Sequence, residues 1–303
     1  MSAALILHHY QASPYSEKVR CYLGFKQLAW QSLLMPPVLP KPDLMALTGG
    51  YRRAPVLQIG ADIYCDSALI IAELEQRYSQ PALATGPQAA QADLLGRLFD
   101  VDIFWRAARY LMASRAEHIP QALLDDRIAM HPQLPLQKAQ LLADQAQLAI
   151  QLRALINQLD QALSGAHFLG GINPCAGDFA VYHSLWFLLG AQALEALAPN
   201  TKAILPWMAR IAAFGHGEMS SISAGDAFAA AKQAKPVALA EMQDSLFKAG
   251  QKVAVQPEGY PQESVAGELV YLDEKKIVIA RQSAACGLLH LHFPRMDYEI
   301  RAI

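Results

Sequence analysis

The chemistry of this chain starts at Ser13-Pro14-Tyr15-Ser16, which follows the apolar run Leu5-Ile6-Leu7-His8-His9-Tyr10 and leads into Glu17-Lys18-Val19-Arg20. The run reads as a strand, and the residues after it as a short loop and a helix. Ser13 suits the N-cap, Pro14 the first helical position with its fixed φ, and Glu17 the first turn, where the helix dipole favours an anion. A hydroxyl there stands among backbone N–H groups with no partner inside the helix, an environment that stabilises a thiolate or another anion. The Ser-x-x-Ser spacing is also that of a Cys-x-x-Cys redox site in which both thiols have become hydroxyls. That exchange removes disulfide chemistry and keeps the geometry. Taken alone, Ser13 is only a helix cap.

Other polar and aromatic groups have structural readings of the same kind. Asp66-Ser67 precedes a helical stretch and is, by itself, an ordinary cap. Phe104, Trp105 and Tyr110 lie on a long helix, of which one face only can meet a cleft. His290 and His292 alternate on a strand and share a face, but two imidazoles without a third ligand make a weak metal site, and no metal is expected. Cys21, Cys65, Cys175 and Cys286 are widely spaced and read as buried thiols of a reducing compartment, with Cys65 adjoining Asp66.

Composition narrows the classes. Among 303 residues, 53% are hydrophobic and 17% charged, which describes a packed soluble protein. The formal net charge of −2 gives no basic field, so neither nucleic acid nor a membrane surface is expected as a partner. No uninterrupted apolar segment is long enough to span a bilayer, and no positive stretch precedes Leu5 as a secretory leader requires; a cytoplasmic location is expected.

The elements that must position these residues fall into three blocks. Residues 1–80 alternate strand and helix signals in the order β-α-β-α-β-β-α, with Gly60-Ala61-Asp62 as a hairpin and the prolines from Pro36 to Pro42 as an irregular connection. After a linker holding Pro81, Gly86 and Pro87, residues 88–236 read as helical throughout, the last helix covering Glu218 to Ala234. From 245 to 303 the pattern turns to short alternating runs, with Leu272 to Lys276 as a hairpin turn, and suggests a small barrel-like β-rich domain of five strands.

Residues 5–80 resemble the thioredoxin-like N-terminal domain of cytosolic glutathione S-transferases, above all the classes with a catalytic serine. The resemblance rests on Ser13-Pro14-Tyr15-Ser16, Ala54-Pro55-Val56-Leu57 and Asp66-Ser67. An all-helical second domain is the arrangement of the same family. Phe168-Leu169-Gly170-Gly171 leading to Asp178 resembles its folding signature, although Cys175 stands where a Ser or Thr cap is usual; Asp178 is read as structural. Ordinary members lack the β-rich tail, and some bacterial relatives carry a similar one. The resulting fold class is multi-domain α/β plus all-α.

The resemblance implies a homodimeric detoxification enzyme with glutathione as co-substrate and a small hydrophobic electrophile as partner. Ser13 matches the catalytic serine, with Ser16 as its substitute. Pro55 matches a cis proline, beside which the backbone of Val56 pairs with the cysteinyl part of glutathione like an added strand. Arg53, with Arg52, is a partner for the glycyl carboxylate. Asp66 and Ser67 take the γ-glutamyl ammonium and carboxylate. Tyr10, Tyr15 and Trp105 are candidate walls of the electrophile pocket. Two other readings stay open: a non-catalytic binding or scaffold protein, and a glutathione-dependent reductase, which the missing thiols disfavour.

Overall fold

The computed structural model describes residues 3–242, 246–260 and 263–303. By contact the chain divides into two compact units, one made of Met1–Ser16, Leu28–Gln76 and Glu218–Ile303, the other of Glu17–Gln27 and Arg77–Gly217. The β-rich tail therefore belongs with the N-terminal strands. Its expected first residue, Ser245, lies outside the described residues.

The N-terminal strands and helices follow the expected order: β1 (Leu5–His9), α1 (Pro14–Phe25), β2 (Ala29–Leu34), α2 (Pro42–Thr48), β3 (Val56–Ile59), β4 (Asp62–Cys65) and α3 (Ser67–Arg77). β1 lies between β2, parallel, and β3, antiparallel, and β3 pairs in turn with β4. All residues of β1, β3 and β4 are buried, polar His8, His9, Gln58 and Asp62 included, so these runs show no alternation of buried and exposed positions. α2 ends where Gly49 takes φ of +72°, a left-handed turn that favours glycine.

The helical unit holds α4 (Pro87–Leu98), a π turn (Phe99–Ile103), α5 (Phe104–Ser114), α6 (Gln121–Met130), α7 (Lys138–Ala162), α8 (Ala176–Gly190), α9 (Leu194–Leu197) and α10 (Ile204–Ala212). α4 and α8 touch backbone to backbone. A Cβ added to Gly177 would lie 2.1 Å from the Ala92 carbonyl oxygen. Fully buried Asp178 organises the entry to α8: its carboxylate accepts from the N–H groups of Leu169 (2.7 Å), Gly170 (3.1 Å) and Cys175 (3.0 Å) and from Trp207 Nε1 (2.8 Å). With the Cys175 thiol also donating to Oδ2 at 3.3 Å, five donors fix one carboxylate, as the structural reading of Asp178 requires.

The last part of the chain returns to the first unit as β5 (Glu218–Ser221), α11 (Ala224–Gln233), β6 (Lys252–Pro257), β7 (Val265–Leu272), β8 (Lys276–Ser283), β9 (Gly287–Pro294) and β10 (Tyr298–Ala302). The helix expected from Glu218 begins at Ala224. Glu218–Ser221 instead adds an exposed strand parallel to β2, and Ser223 caps the shortened helix by accepting the Asp226 N–H. All five tail strands are present, paired in the order β10-β6-β7-β8-β9 with the last strand beside the first, and β9 carries the sheet on into the N-terminal strands. Their link is the parallel pair β9–β4, giving one ten-stranded sheet in the order β10-β6-β7-β8-β9-β4-β3-β1-β2-β5.

One apolar cluster joins both parts of this unit, and a smaller one gathers Ile6, Leu33 and Ala227. Leu44, Leu47, Tyr51, Val56 and Ile63 pack in a single cluster with Val253, Val265, Leu269, Ile277, Leu291 and Phe293. Polar side chains bind the same seam, since Arg281 Nη1 and Ser283 Oγ both donate to the Ala46 carbonyl at the end of α2 (3.1 and 2.8 Å). Carbonyls left open by the last helical turn are thus satisfied by the tail.

Candidate functional site

The loop after β1 delivers Ser13 to the start of α1. Its N–H donates to the Tyr10 carbonyl (3.1 Å), and its Oγ accepts the Ser16 N–H (3.2 Å), so it is the cap that the local sequence implies. Ser13 is buried, as is Ser16, whose own hydroxyl has no hydrogen-bond partner among the described residues. Capping uses a lone pair of the Ser13 oxygen and leaves its proton for another acceptor. A thiolate placed before this turn would receive that proton's hydrogen bond together with the field of the helix start.

The second site segment is the turn before β3. The Ala54–Pro55 bond is cis, as expected. Val56 does not offer an open flank, because it pairs in register with His8 on one side and Cys65 on the other. The expectation that an added strand meets Val56 is therefore corrected: the main chain of this turn that lies outside the strands is that of Arg53, Ala54 and Pro55.

Arg53 has a partner that sequence spacing did not reveal. Its Nε lies 3.2 Å from Oε2 of Glu263, a charge contact whose angle falls short of an aligned hydrogen bond, and Arg52 Nε lies 3.9 Å from the other oxygen. Glu263 is buried; burial pushes its carboxyl above the usual range, while Arg53, Arg52 and Lys41 pull it back. The guanidinium also lies 3.9 Å from the centroid of Tyr260 and 5.4 and 5.7 Å from those of Tyr51 and Tyr298. Aromatic faces hold a cation favourably here and shield it from water.

Asp66 and Ser67 open α3 from the end of β4. Asp66 sits at φ +87°, a left-handed conformation costly for a residue with a Cβ, and its Oδ1 accepts the Ala68 N–H (2.9 Å). Its Oδ2 accepts from the Tyr298 hydroxyl at 3.4 Å. Ser67 is buried as the first residue of the helix. The tail thus reaches both predicted ligand positions, with Glu263 on Arg53 and Tyr298 on Asp66. Lys41 joins the same network, donating to the Arg52 carbonyl (2.9 Å) with its ammonium 5.8 Å from the Tyr10 ring.

Tyr10 and Tyr15 are half-buried on either side of Ser13 in sequence. Trp105 belongs to the helical unit, where it meets His131 edge-on at 4.2 Å and Phe104 at 5.3 Å. The four cysteines are buried, and burial raises the thiols of Cys21 and Cys65 well above their ordinary value, which disfavours the thiolate. One group among the described residues brings three potential metal ligands together, Glu17, Cys21 and His216. Glu17 is already engaged: Arg20 Nη2 donates to Oε2 (2.7 Å), and Oε1 lies 3.2 Å from His216 Nε2 and 3.4 Å from Cys21 Sγ. Burial raises this carboxyl, but His216 and Arg20 outweigh it and hold it at about 2. His290 and His292 are 6.5 Å apart, and His292 is taken up by Asp62 and by stacking on Tyr64.

The model of the glutathione S-transferase N-terminal domain matches residues 7–82. Among solved structures, a GST-like protein from Pseudomonas syringae matches over 100% of both chains, with 34% sequence identity and a TM-score of 0.82. The chain belongs to the glutathione S-transferase family. A theta-class transferase from Xanthomonas axonopodis pv. citri with glutathione bound is matched over its whole length and 73% of this chain, at 18% identity and a TM-score of 0.54. A transferase from Rhodospirillum rubrum F11 is matched over 87% of its length and 69% of this chain, at 20% identity and a TM-score of 0.51. These two likenesses concern the fold alone. A search of curated proteins by sequence finds no match. Among the described residues no helix is long and apolar enough to cross a membrane.

Proposed function

We propose that this protein binds glutathione and activates its thiol for attack on a small hydrophobic electrophile. The observation that carries the reading is Ser13: its oxygen is occupied as a cap and its proton is left to donate, at the start of α1. That hydrogen bond favours the thiolate over the thiol, which otherwise titrates near ~8.5. Asp66 and Ser67 would take the γ-glutamyl end, the main chain at Ala54 the cysteinyl residue, and Arg53 the region of the glycyl end. Tyr10 and Tyr15 would flank the reacting sulfur. Homodimer formation, a cytoplasmic location and a detoxifying role accompany this reading as family expectations.

The test is conjugation of an aromatic halide with glutathione, alongside calorimetric titration of glutathione, for wild type and Ser13→Ala. Turnover should fall by about 10²–10³ in the variant with little change in affinity, because the lost donor acts on the developing thiolate. The pKa of the bound thiol should rise in step. Unchanged turnover would remove Ser13 from the mechanism. The contacts of Tyr298 and Glu263 with two ligand positions favour one second reading, a protein that binds without catalysing. Tight glutathione binding with no conjugation by wild type would select it.

A further inference from the structure

The glutathione reading leaves one charge without an explanation. An arginine next to the cis-proline turn is expected to wait for a carboxylate from the ligand, and in this chain it already has one. Glu263 comes from the tail, 1% exposed, with Oε2 at 3.2 Å from Arg53 Nε and Oε1 at 3.9 Å from Arg52 Nε. Tyr260 covers one approach to the guanidinium at 3.9 Å. A carboxylate arriving from a ligand would have to share Arg53 with Glu263 in a buried setting, where two like charges at one site repel strongly.

We propose that Glu263 supplies from within the chain the carboxylate that Arg53 would otherwise take from the glycyl end of glutathione, so that the site accepts γ-glutamyl-cysteinyl thiols with an uncharged far end at least as well as glutathione itself. Esters and amides of the glycyl carboxyl are the ligand class meant. Glu263 is then a specificity-determining residue, and it acts by neutralising an arginine rather than by touching the sulfur. Such ligands retain the γ-glutamyl end assigned to Asp66 and Ser67. The inference rests on the glutathione reading above.

The experiment is calorimetric titration of the full chain with glutathione and with its glycyl monoethyl ester, for wild type and Glu263→Gln. Wild type should bind the acid within about threefold of the ester, or more weakly than the ester, whereas Glu263→Gln should tighten the acid by about tenfold and leave the ester unchanged. Wild type binding the acid more than about threefold tighter than the ester overturns the inference and leaves the glutathione reading intact. Equal effects of Glu263→Gln on both ligands overturn it in the same way. Binding of neither ligand by wild type removes the glutathione reading and the inference together. Should Glu263→Gln fail to fold, the wild-type comparison of acid and ester decides alone.

Discussion

His292 Nε2 lies 2.8 Å from Oδ1 of Asp62, and this buried pair spans the seam where the tail joins the N-terminal sheet. Burial pushes the imidazole below its ordinary value and Asp62 offsets part of that, so Nε2–H of a neutral ring donates to the carboxylate. The other carboxylate oxygen accepts the Val237 N–H at 2.9 Å, and the ring stacks on Tyr64 with centroids 4.3 Å apart. Asp62 therefore ties β4, β9 and the chain after α11 at one point.

His292→Phe keeps a ring over Tyr64 and strands one oxygen of a buried carboxylate. The cost should be about 1–3 kcal/mol, the usual penalty for a buried group left without its partner. A urea unfolding midpoint equal to that of wild type would show that the seam does not depend on this pair.

Acid should weaken the fold through two histidines that have no part in the proposed chemistry. Burial pushes His8 down to about 4, against the opposing effect of the hydrogen bond its Nε2–H donates to Gln58 Oε1, and burial with nearby Lys18 pushes His183 to about 3. Both are neutral in the folded chain and protonated in the unfolded chain below the unfolded value of 6.5. The unfolded state then binds more protons, so stability falls as pH drops from 6.5 towards 4 for His8 and towards 3 for His183. His8 alone contributes on the order of 3 kcal/mol across its window, at about 1.4 kcal/mol per pKa unit. Thermal unfolding from pH 8 to 4 measures the loss, and ring NMR of His8 showing a charged imidazole at pH 5.5 in folded protein would contradict it.

Two glycines on α8 should respond in opposite directions. Gly177→Ala drives a methyl group to 2.1 Å from the Ala92 carbonyl oxygen, and helix backbone cannot give way cheaply. It should destabilise by about 1–3 kcal/mol or abolish folding. Gly190, where an added Cβ meets nothing within 4 Å, should tolerate alanine or gain up to about 1 kcal/mol through a less flexible unfolded chain. Equal unfolding midpoints for the two variants would refute the close approach of α4 and α8.

At Asp66 the backbone and the ligand role can be separated. Asp66→Gly relieves the strain of φ +87° and Asp66→Ala does not, so the glycine variant should be the more stable by roughly 1 kcal/mol. Both lose the carboxylate, and both should weaken glutathione by about 1.5–3 kcal/mol in calorimetry. Affinity that tracked stability instead would make Asp66 a purely structural residue.

Local chemistry makes much of the first unit legible. A serine followed by proline at a helix start, a hairpin at Gly60-Ala61-Asp62 and an Asp-Ser pair before α3 each carry their reason within a few residues, and each lies where the sequence places it. Glu218–Ser221 reads wrongly as helix because four exposed residues with one strand partner leave no pattern that separates strand from helix. Alternation in the tail marks strands but not their neighbours, so the pairing of β9 with β4 leaves no sign. The same holds for Glu263 on Arg53: a charge pair between distant segments is decided by the tertiary fold, and its signal in sequence is only one more glutamate. Val56 takes a ligand role in the sequence reading because strand occupancy on both its sides depends on that fold too.

The seam between β4 and β9 also bears on the order in which the molecule can be made. Asp62 and His292 are 230 residues apart, and β4 has its far neighbour only after the whole intervening helical stretch has been made. Contacts so distant form slowly, because a long loop must close before they reward the chain. Arg77–Gly217, one continuous stretch, can gather most of its own unit meanwhile. The nascent N-terminal segment waits with an open strand edge and part of a core uncovered, a state that invites pairing with other chains. The β4 edge is thus among the last parts of the sheet to be covered, and until then association with another chain competes with folding.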